Sequence, residues 1–402
     1  MKHSSSNTDI SVRVYLHTVF FLRYRVFPVL CVLLLSVAGC GTIAPVLREP
    51  SAGEKIVVRV AVLKSTRRFA LVSENAVILE NGSTNQLPPR SDVSIEDDFV
   101  RIANRQYSYP VRIKSDHPLI IDEKKYYGDL SITQGFVVNR VPLEVYIRGV
   151  VASEVAEDWP EEALKAQAVV SRTYVYRKIL ESSERPYDIE DTELHQKYLY
   201  EELSPRIAGA ISDTEGLVIL YENQPIEAFF HSSSGGITEN CGDVFQQDIP
   251  YLRAFPDPYS VENEYFLWQY SISGENIVRA LDLGNRSSDL YDILIGRKTG
   301  SGRVRDFILE FSGKERHIIK GNKLRLILGP KDFKSLFLLS IDNMKKDDEL
   351  IFTFTGRGYG HGVGMSQFGA REMALRGFSF QQIIAFYYSG SRIDFFQISS
   401  ND

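Results

Sequence analysis

The sequence VVASEVAEDWPEE, residues 150–162, contains five carboxylic acids, and four of them have structural explanations. Asp158 and Glu161 have the spacing of a capping box, so we expect Asp158 to be the N-cap of a helix. Glu161 and Glu162 would follow in the first turn, where the helix dipole favours negative charge and Pro160 is tolerated. Glu157 precedes the cap and is expected to face water.

Glu154 is the fifth acid, and no local capping role accounts for it. It lies between two predicted helices, among apolar residues and the large side chain of Trp159. A carboxylic acid in that setting would be desolvated, which raises its pKa toward the range where it holds a proton at neutral pH and donates it. From spacing alone, an ordinary loop carboxylate is the alternative to a catalytic acid.

Apolar residues at helical spacing predict a helix on each side of Glu154. The first helix would follow Pro142 and bury a stripe at i, i+3, i+4, i+7 and i+8, formed by Leu143, Tyr146, Ile147, Val150 and Val151. The second helix, EALKAQAVVSRTYVYRK, carries Gln167, Arg172 and Tyr174. A core does not require these polar groups, so they are candidates for substrate binding, with ordinary surface residues as the alternative.

The remaining pattern predicts an α+β fold with a β-rich N-terminal part. Between residues 56 and 141, short alternating segments bounded by turn residues predict strands in KIVVRVAVL, FALVSE, VRIANRQYSYPVRIK, PLIID and LSITQGFVVN. A helix is expected near Pro205–Ser212, followed by strands LVILYE and IEAFFH within a further strand set from about Gly216 to Phe311. The C-terminus is expected to be helical.

The second chemical feature is a run of alternate glycines from Gly356 to Gly364. If this run is an extended strand, one face is bare, which permits close approach of a sugar or another segment and places Tyr359 and His361 on one side. The alternative is packing against the helices around Glu154. The spacing is not GxGxxG opening a helix, which disfavours a nucleotide loop.

Two helix N-caps are predicted in the residues that follow the glycine run. Ser366 predicts the start of a helix Gln367–Arg376 that Gly377 would end, and Ser379 with Gln382 forms a capping box.

Several segments together resemble the stage II sporulation protein D and amidase enhancer family. They are VPLEVYIRGVVASEVAEDWPEEALKAQAVVSRTYVY, FFHSSSGG, PYL and GRGYGHGVGMSQFGAREMALRG. The resemblance extends more loosely over residues 56–393, with 56–141 as a β-rich subdomain and 394–402 as a tail. It implies a lytic transglycosylase that cleaves peptidoglycan glycan strands from which stem peptides have been removed, with Glu154 as the catalytic glutamate.

Such an enzyme needs one carboxyl group where a glycosidase uses two. The acid protonates the bond between N-acetylmuramic acid and N-acetylglucosamine, and as carboxylate it then assists attack of the muramyl 6-hydroxyl on C1. The product is a 1,6-anhydro sugar.

The resemblance favours a glycan groove that includes His231 and His361. A satisfied core histidine is the alternative, and SSSGG after His231 is not the GxSxG of a serine hydrolase. The substrate-binding candidates are Gln167, Arg172, Tyr174, His231, Ser232, Ser234, Tyr359, His361 and Gln367.

The N-terminus predicts an exported lipoprotein. Arginines precede an apolar run, Val26–Val37, that is too short to span a bilayer, and LSVAGC resembles a lipobox ending at Cys40. We therefore expect a signal peptide at 1–39, a lipidated Cys40, a linker at 40–55 and attachment to a membrane of the cell envelope, facing the periplasm or extracytoplasmic space. An uncleaved anchor is the alternative. Cys31 would leave with the signal, so no internal disulfide with Cys241 is expected.

Charge and ligand spacing limit the other function classes. The net charge of −6 gives no basic field for nucleic acid. Some members of the family carry zinc on His and Cys after the long helix, but YDIEDTELHQKYLY offers Asp188, Asp191, His195 and Gln196 without cysteine, and His231, Cys241 and His361 add no ligand spacing. We expect no metal and no cofactor.

Two alternative functions stay open, a zinc-dependent wall hydrolase and a non-catalytic glycan-binding activator of a cell wall amidase. The resemblance implies an amidase partner that strips peptides. Nothing in the residues distinguishes sporulation, division and general wall turnover.

Overall fold

The structure is a computed structural model that describes residues 56–80, 83–192, 196, 198, 204–284 and 290–396. The predicted signal peptide 1–39, the linker 40–55 with Cys40, and His195 lie outside the described residues, as does most of the tail. Within the described part, no helix is long and apolar enough to cross a membrane.

The N-terminal part is β-rich, as predicted. Its strands are β1 (Val57–Lys64), β2 (Arg68–Val72), β3 (Val77–Glu80), β4 (Ser83–Gln86), β5 (Arg90–Ile95), β6 (Phe99–Ile102), β7 (Arg105–Ser108), β8 (Val111–Lys114), β9 (Leu119–Ile121), β10 (Lys124–Tyr126), β11 (Asp129–Thr133) and β12 (Phe136–Pro142). They form a six-stranded sheet, β10-β9-β2-β5-β6-β7, and a seven-stranded sheet, β13-β1-β12-β11-β8-β3-β4, which includes the short β13 (Ile189–Glu190). Buried and exposed residues alternate along β5, so one face of the strand enters the core.

Strand β12 leads directly into the first helix, α1 (Leu143–Glu154). The backbone N–H of Leu143 donates to the carbonyl of Ile56 at 2.9 Å, which fixes the start of α1 beside β1. All five residues of the predicted apolar stripe are buried. The periodicity prediction is therefore confirmed, and Glu154 is the last residue of α1 rather than part of the connector.

The second helix, α2 (Glu161–Glu181), begins two residues later than the capping-box prediction required. Its N-cap is Pro160, with no side-chain cap hydrogen bond, so the prediction that Asp158 is the N-cap is wrong. An N-cap at Asp158 would make Trp159 the first helical residue, and a residue before proline is disfavoured in the helical region. The helix therefore starts only after Pro160.

The N-terminal sheets, α1 and α2 share one hydrophobic core, which we call the first core. Five further elements belong to it, namely α3 (Pro205–Asp213), β14 (Leu217–Tyr221), β15 (Gln224–Pro225), β16 (Phe230–His231) and α4 (Cys241–Phe245). The predictions of α3 and of a strand at LVILYE are confirmed. The strand predicted for IEAFFH is wrong over Ile226–Phe229, where the backbone is irregular. There the N–H of Glu227 donates to the Tyr251 hydroxyl at 3.0 Å, so a side chain takes the place of a neighbouring strand.

Residues 268–356 contain a second hydrophobic core, and we call this segment the insert. Its elements are β17 (Trp268–Ser273), α5 (Gly274–Ala280), β18 (Leu290–Ile295), β19 (Asp306–Phe311), β20 (Glu315–Lys320), α6 (Gly321–Leu328), β21 (Leu338–Lys346) and β22 (Glu349–Gly356). Two antiparallel sheets, β17-β22-β21 and β18-β19-β20, pack around edge-to-face aromatic rings such as Phe333 and Phe354, whose centroids are 4.9 Å apart.

After the insert the chain returns to the first core through β23 (Met365–Ser366), α7 (Gln367–Leu375), α8 (Phe380–Tyr387) and β24 (Arg392–Phe395). β23 pairs in parallel with β16, and β24 pairs with β14. The predicted caps are confirmed: Ser366 accepts the N–H of Gly369, and Ser379 with Gln382 forms a capping box. The fold is α+β, as predicted.

Candidate active site

A cleft of about 250 Å³ lies between the first core and the insert. It is lined by Glu154, Tyr174, Phe229, Phe230, His231, Ser232, Val244, Phe245, Asn322, Arg325, Leu326, Pro330, Tyr359, Gly360, His361 and Gln367. Among these lining residues, Glu154 is the only carboxylic acid and Arg325 the only arginine or lysine. Glu154 is half-buried there, at the C-terminal end of α1.

The cleft brings together most of the site residues predicted from the sequence. Seven of them line it, namely Glu154, Tyr174, His231, Ser232, Tyr359, His361 and Gln367. Gln167, Arg172 and Ser234 do not line it, and all three are buried rather than on the surface.

Arg172 fastens the beginning of α1 to α2. Its side chain is fully buried, and its Nε and Nη2 donate to the two carboxylate oxygens of Glu144, both at 2.8 Å. A third bond runs from Nη1 to the carbonyl of Leu217 in β14, at 3.1 Å. Because Glu144 is in the first turn of α1 and Glu154 is its last residue, Arg172 holds the helix that presents the acid.

Gln167 and Ser234 also hold other site residues in place. The Gln367 amide donates to Oε1 of Gln167 at 3.4 Å, and Gln167 donates in turn to the Ser171 hydroxyl at 3.0 Å. The Ser234 hydroxyl donates to the Asp257 carboxylate at 2.8 Å beneath the turn that follows His231. The first bond ties the start of α7 to α2, and the second makes the turn rigid.

Aromatic rings form one wall of the cleft. Phe229 stacks on Phe245 with centroids 4.4 Å apart, and Tyr174 lies 6.1 Å from Phe229. Burial raises the pKa of Tyr174, so its hydroxyl keeps its proton at neutral pH. Flat apolar rings beside polar groups suit a ligand that has both hydroxyl groups and carbon–hydrogen faces.

The glycine-rich segment after β22 is a loop, so the condition for a strand with one bare face, an extended backbone, is not met. Alternate glycines adopt positive φ, including Gly360 at +108° and Gly364 at +71°. At Gly358, Gly360 and Gly364 the loop lies against the segment from Phe229 to Gly235. A Cβ on Gly360 would lie 2.7 Å from the Cβ of His231, so only glycine permits this approach.

His231 lines the cleft and has one ring nitrogen without a partner among the described residues. Its Nδ1 lies 3.1 Å from the carbonyl of Val363 and therefore donates, which leaves Nε2 as an acceptor. Nε2 is buried and has no hydrogen-bond partner among the described residues. Burial, with further contributions from His361 and Arg303, lowers the pKa of His231 well below its usual value, so the ring is neutral.

His361 is neutral for similar reasons. The backbone N–H of Val363 donates to its Nδ1 at 3.0 Å. Burial lowers the pKa of His361 to about 3, and the nearby charges of Arg325 and Arg303 contribute. The two histidine rings lie 5.5 Å apart, so the cleft contains two uncharged imidazoles side by side.

Arg325 is a cleft residue that the sequence analysis missed. It lies on α6 of the insert and is 8% exposed. Its Nε donates to the carbonyl of Lys334 at 3.1 Å. Burial lowers the pKa of Arg325 to about 10, so the guanidinium still carries its charge at neutral pH. No local motif marks this residue, because it reaches the cleft only through the packing of the insert.

The comparisons with known proteins match the two parts of the chain that meet at the cleft. Residues 132–221 match the model of the stage II sporulation protein family, and residues 243–364 match a domain of unknown function. Stage II sporulation protein D of Bacillus amyloliquefaciens is 34% identical over 274 residues, 64% of this chain and 76% of the relative. The chain belongs to the stage II sporulation protein D family.

Other relatives agree with this membership. Stage II sporulation protein D of Bacillus subtilis (strain 168) is 34% identical over 272 residues, 64% of this chain and 75% of the relative. The amidase enhancer of the same organism is 26% identical over 387 residues, 82% of this chain and 53% of the relative. The resemblance noted from the sequence is confirmed, and its members' names link the family to sporulation and to amidase enhancement.

The segment after α2 contains the acidic residues that the sequence analysis considered as zinc ligands. Asp188 accepts hydrogen bonds from Arg59, and Asp191 accepts one from Tyr126 at 3.2 Å. In the described part of the chain, no three His, Cys, Asp or Glu side chains are close enough together to hold a metal ion. Cys241 is buried as a free thiol, and burial raises its pKa to about 11.

Proposed function

We propose that this member of the family is a lytic transglycosylase that cleaves peptidoglycan glycan strands stripped of their stem peptides, with Glu154 as general acid and then general base. The observation that carries the proposal is the single carboxylic acid of the cleft, on a wall of aromatic and neutral polar groups. A hydrolytic glycosidase would need a second carboxylate to act on water or as nucleophile.

The reaction uses the substrate as its own nucleophile. Glu154 transfers its proton to the glycosidic oxygen as the bond from that oxygen to C1 of the muramyl residue breaks. The resulting carboxylate accepts the proton of the muramyl 6-hydroxyl as O6 bonds to C1. Glu154 is thereby returned to its acid form, the N-acetylglucosamine end leaves as an alcohol, and no water is consumed.

Neutral groups of the cleft suit the binding of a sugar. Nε2 of His231 is a buried acceptor for a hydroxyl group, since its Nδ1 is fixed by Val363. Gln367 and Ser232 add amide and hydroxyl groups, and Phe245 offers a ring face. An uncharged nitrogen can accept a hydrogen bond from a sugar hydroxyl group without the cost of burying a charge.

We further propose that the enzyme works at the cell envelope. The lipobox-like LSVAGC would attach it through Cys40 to a membrane, facing the periplasm or extracytoplasmic space. A wall amidase that removes stem peptides is the partner expected, and the relative named amidase enhancer supports that link.

The test is incubation of amidase-treated peptidoglycan with wild-type protein and with Glu154→Gln, followed by mass analysis. We expect anhydromuramyl products from wild type and a loss of about 10²- to 10⁴-fold in the variant, because a positioned acid–base group contributes that much. Glu157→Gln, at an exposed position three residues away, is the matched control and should retain activity. Thermal unfolding of each variant would exclude loss of folding.

Three results would contradict the proposal in different ways. Equal product from wild type and Glu154→Gln would remove Glu154 from the mechanism. Stimulation of an amidase without product from any variant would favour the non-catalytic activator. Release of reducing ends that stops when a chelator is added would favour a zinc-dependent hydrolase.

A further inference from the structure

We propose that Arg325 binds the lactyl carboxylate of a peptide-free muramyl residue, and that this contact selects stripped glycan strands. The inference rests on the proposed function, since it assigns a specificity-determining residue to the same cleft. It concerns the insert, to which the proposed chemistry assigns no residue.

A second cavity, of about 490 Å³, adjoins the cleft at Arg325. The two cavities share the lining residues Val244, Asn322, Arg325, Gly360 and His361. Asn322 and Arg325 are three residues apart on α6 and so lie on the same face of that helix. A glycan that occupies the cleft beside Glu154 therefore has room to place a substituent against Arg325.

Two of the other three cations that line the second cavity form ion pairs with carboxylates. Arg305 pairs with Asp243 at 3.3 Å, and Lys320 pairs with Asp306 at 3.0 Å.

Arg303 is buried near Glu239 and donates to the carbonyls of Ser234 and Ile237 at 2.7 and 2.8 Å. The carboxylate of Glu239 also accepts the hydroxyls of Thr299 and Ser301. Within the residues that the structure describes, Arg303 forms no ion pair, but the nearby charge of Glu239 opposes the effect of burial on its pKa.

Arg325 differs from all three, since burial and the Tyr359 hydroxyl alone shift its pKa and no described carboxylate contributes. Among the described residues, no carboxylate lies within ion-pair distance of its guanidinium, whose Nε bonds only a backbone carbonyl. A buried charge without a counter-ion is unfavourable, so its retention at a cavity wall indicates an anionic ligand. The planar guanidinium matches the geometry of a carboxylate.

Muramic acid supplies one such anion. Its lactyl group ends in a carboxylate when the stem peptide is absent, and that carbon is part of a neutral amide when the peptide is attached. N-acetylglucosamine carries no charge. A guanidinium at the cleft would therefore distinguish stripped from peptide-bearing strands by charge as well as by size.

The test measures binding and not cleavage. Glu154→Gln protein is titrated calorimetrically with peptide-free glycan oligosaccharides, either with free lactyl carboxylates or with the same carboxylates converted to amides. We expect amidation of the ligand to weaken binding by about 10- to 100-fold, the range for a hydrogen bond to a charged group. In the Glu154→Gln, Arg325→Gln double variant, the affinity for the carboxylate ligand should fall by about the same factor. The affinity for the amide ligand should not change.

Matched variants make the result specific. Lys323→Gln removes a charge from the exposed side of α6, outside both cavities, and should leave both affinities unchanged. Arg325→Lys retains the charge without the planar fork and should give an intermediate affinity for the carboxylate ligand.

Equal affinity of the parent protein for the two ligands would overturn the inference, as would an equal loss on both ligands in the Arg325→Gln protein. Failure of the proposed function would be seen separately, as absence of anhydromuramyl product from wild type. Binding selectivity is readable in either case.

Discussion

The polar groups on the two sides of the cleft differ in their hydrogen-bond partners. On the helix side, formed by α1, α2 and the start of α7, polar side chains bond to one another, as in Arg172 with Glu144 and Gln167 with Gln367. On the loop side, formed by the turn after β16, the glycine loop and α6, His231 and Arg325 each have one nitrogen bonded to a backbone carbonyl. The polar groups of the helix side bond within the protein, whereas the loop side keeps groups that the proposed ligand would bind.

The largest expected effect is loss of stability from the helix side. Arg172→Met should lower the free energy of unfolding by about 3 kcal/mol, because it leaves Glu144 without its partner in a mostly buried pair. Chemical denaturation measures this loss. Arg67→Met breaks an exposed pair with Asp97 and should change the stability far less, because solvent screens the two charges. Similar losses in the two variants would mean that Arg172 is not a structural residue.

The next largest effect is expected from a substitution that tests how tightly the loop side is packed. Gly360→Ala places a Cβ against His231 at positive φ, so we expect a loss of about 2 kcal/mol in stability and a fall in product formation. Gly377→Ala is the matched control, since Gly377 has φ of +86° and no neighbour within 4 Å of an added Cβ. That variant should lose about 1 kcal/mol and keep its activity. Equal activity in both variants would mean that the loop does not position His231.

The smallest effect is a pH dependence that arises on the loop side. The pKa of His361 is about 3 in the folded protein and about 6.5 when unfolded, so between these values only the unfolded state binds the proton. Stability from this residue is complete above pH 6.5 and is lost as the pH falls, by about 1.4 kcal/mol per unit. His361→Asn should make the decline from pH 6.5 to 5 shallower by up to that amount.

Denaturation curves at several pH values give this slope. His117→Asn, at an exposed position, serves as the control. An unchanged slope in His361→Asn would show that His361 takes up its proton in the folded state as readily as in the unfolded state.

The sequence predicted features that depend on local spacing. The stripe of α1, the cap at Ser366 and the capping box of Ser379 involve residues within a few positions of one another, and all are present. The capping box expected at Asp158 failed because the restriction that Pro160 imposes on Trp159 is stronger than the cap preference. Local rules therefore work until two of them conflict.

The features that the sequence could not predict depend on distant contacts. The glycines looked like an extended strand, but their positive φ values follow from the approach of the segment around His231. Arg172 looked like a substrate ligand until Glu144 was found within reach. Arg325 belongs to a segment without any motif, and only the packing of the insert against the first core brings it into the same cleft as Glu154.

The hydrogen bond between Gln167 and Gln367 joins residues 200 positions apart. Contacts of such long range form late, since a large loop of chain must first close. A chain that ended before α7 would contain Glu154 but not the wall that Gln367 supplies. The cleft around Glu154 is therefore complete only when nearly all of the chain has been made.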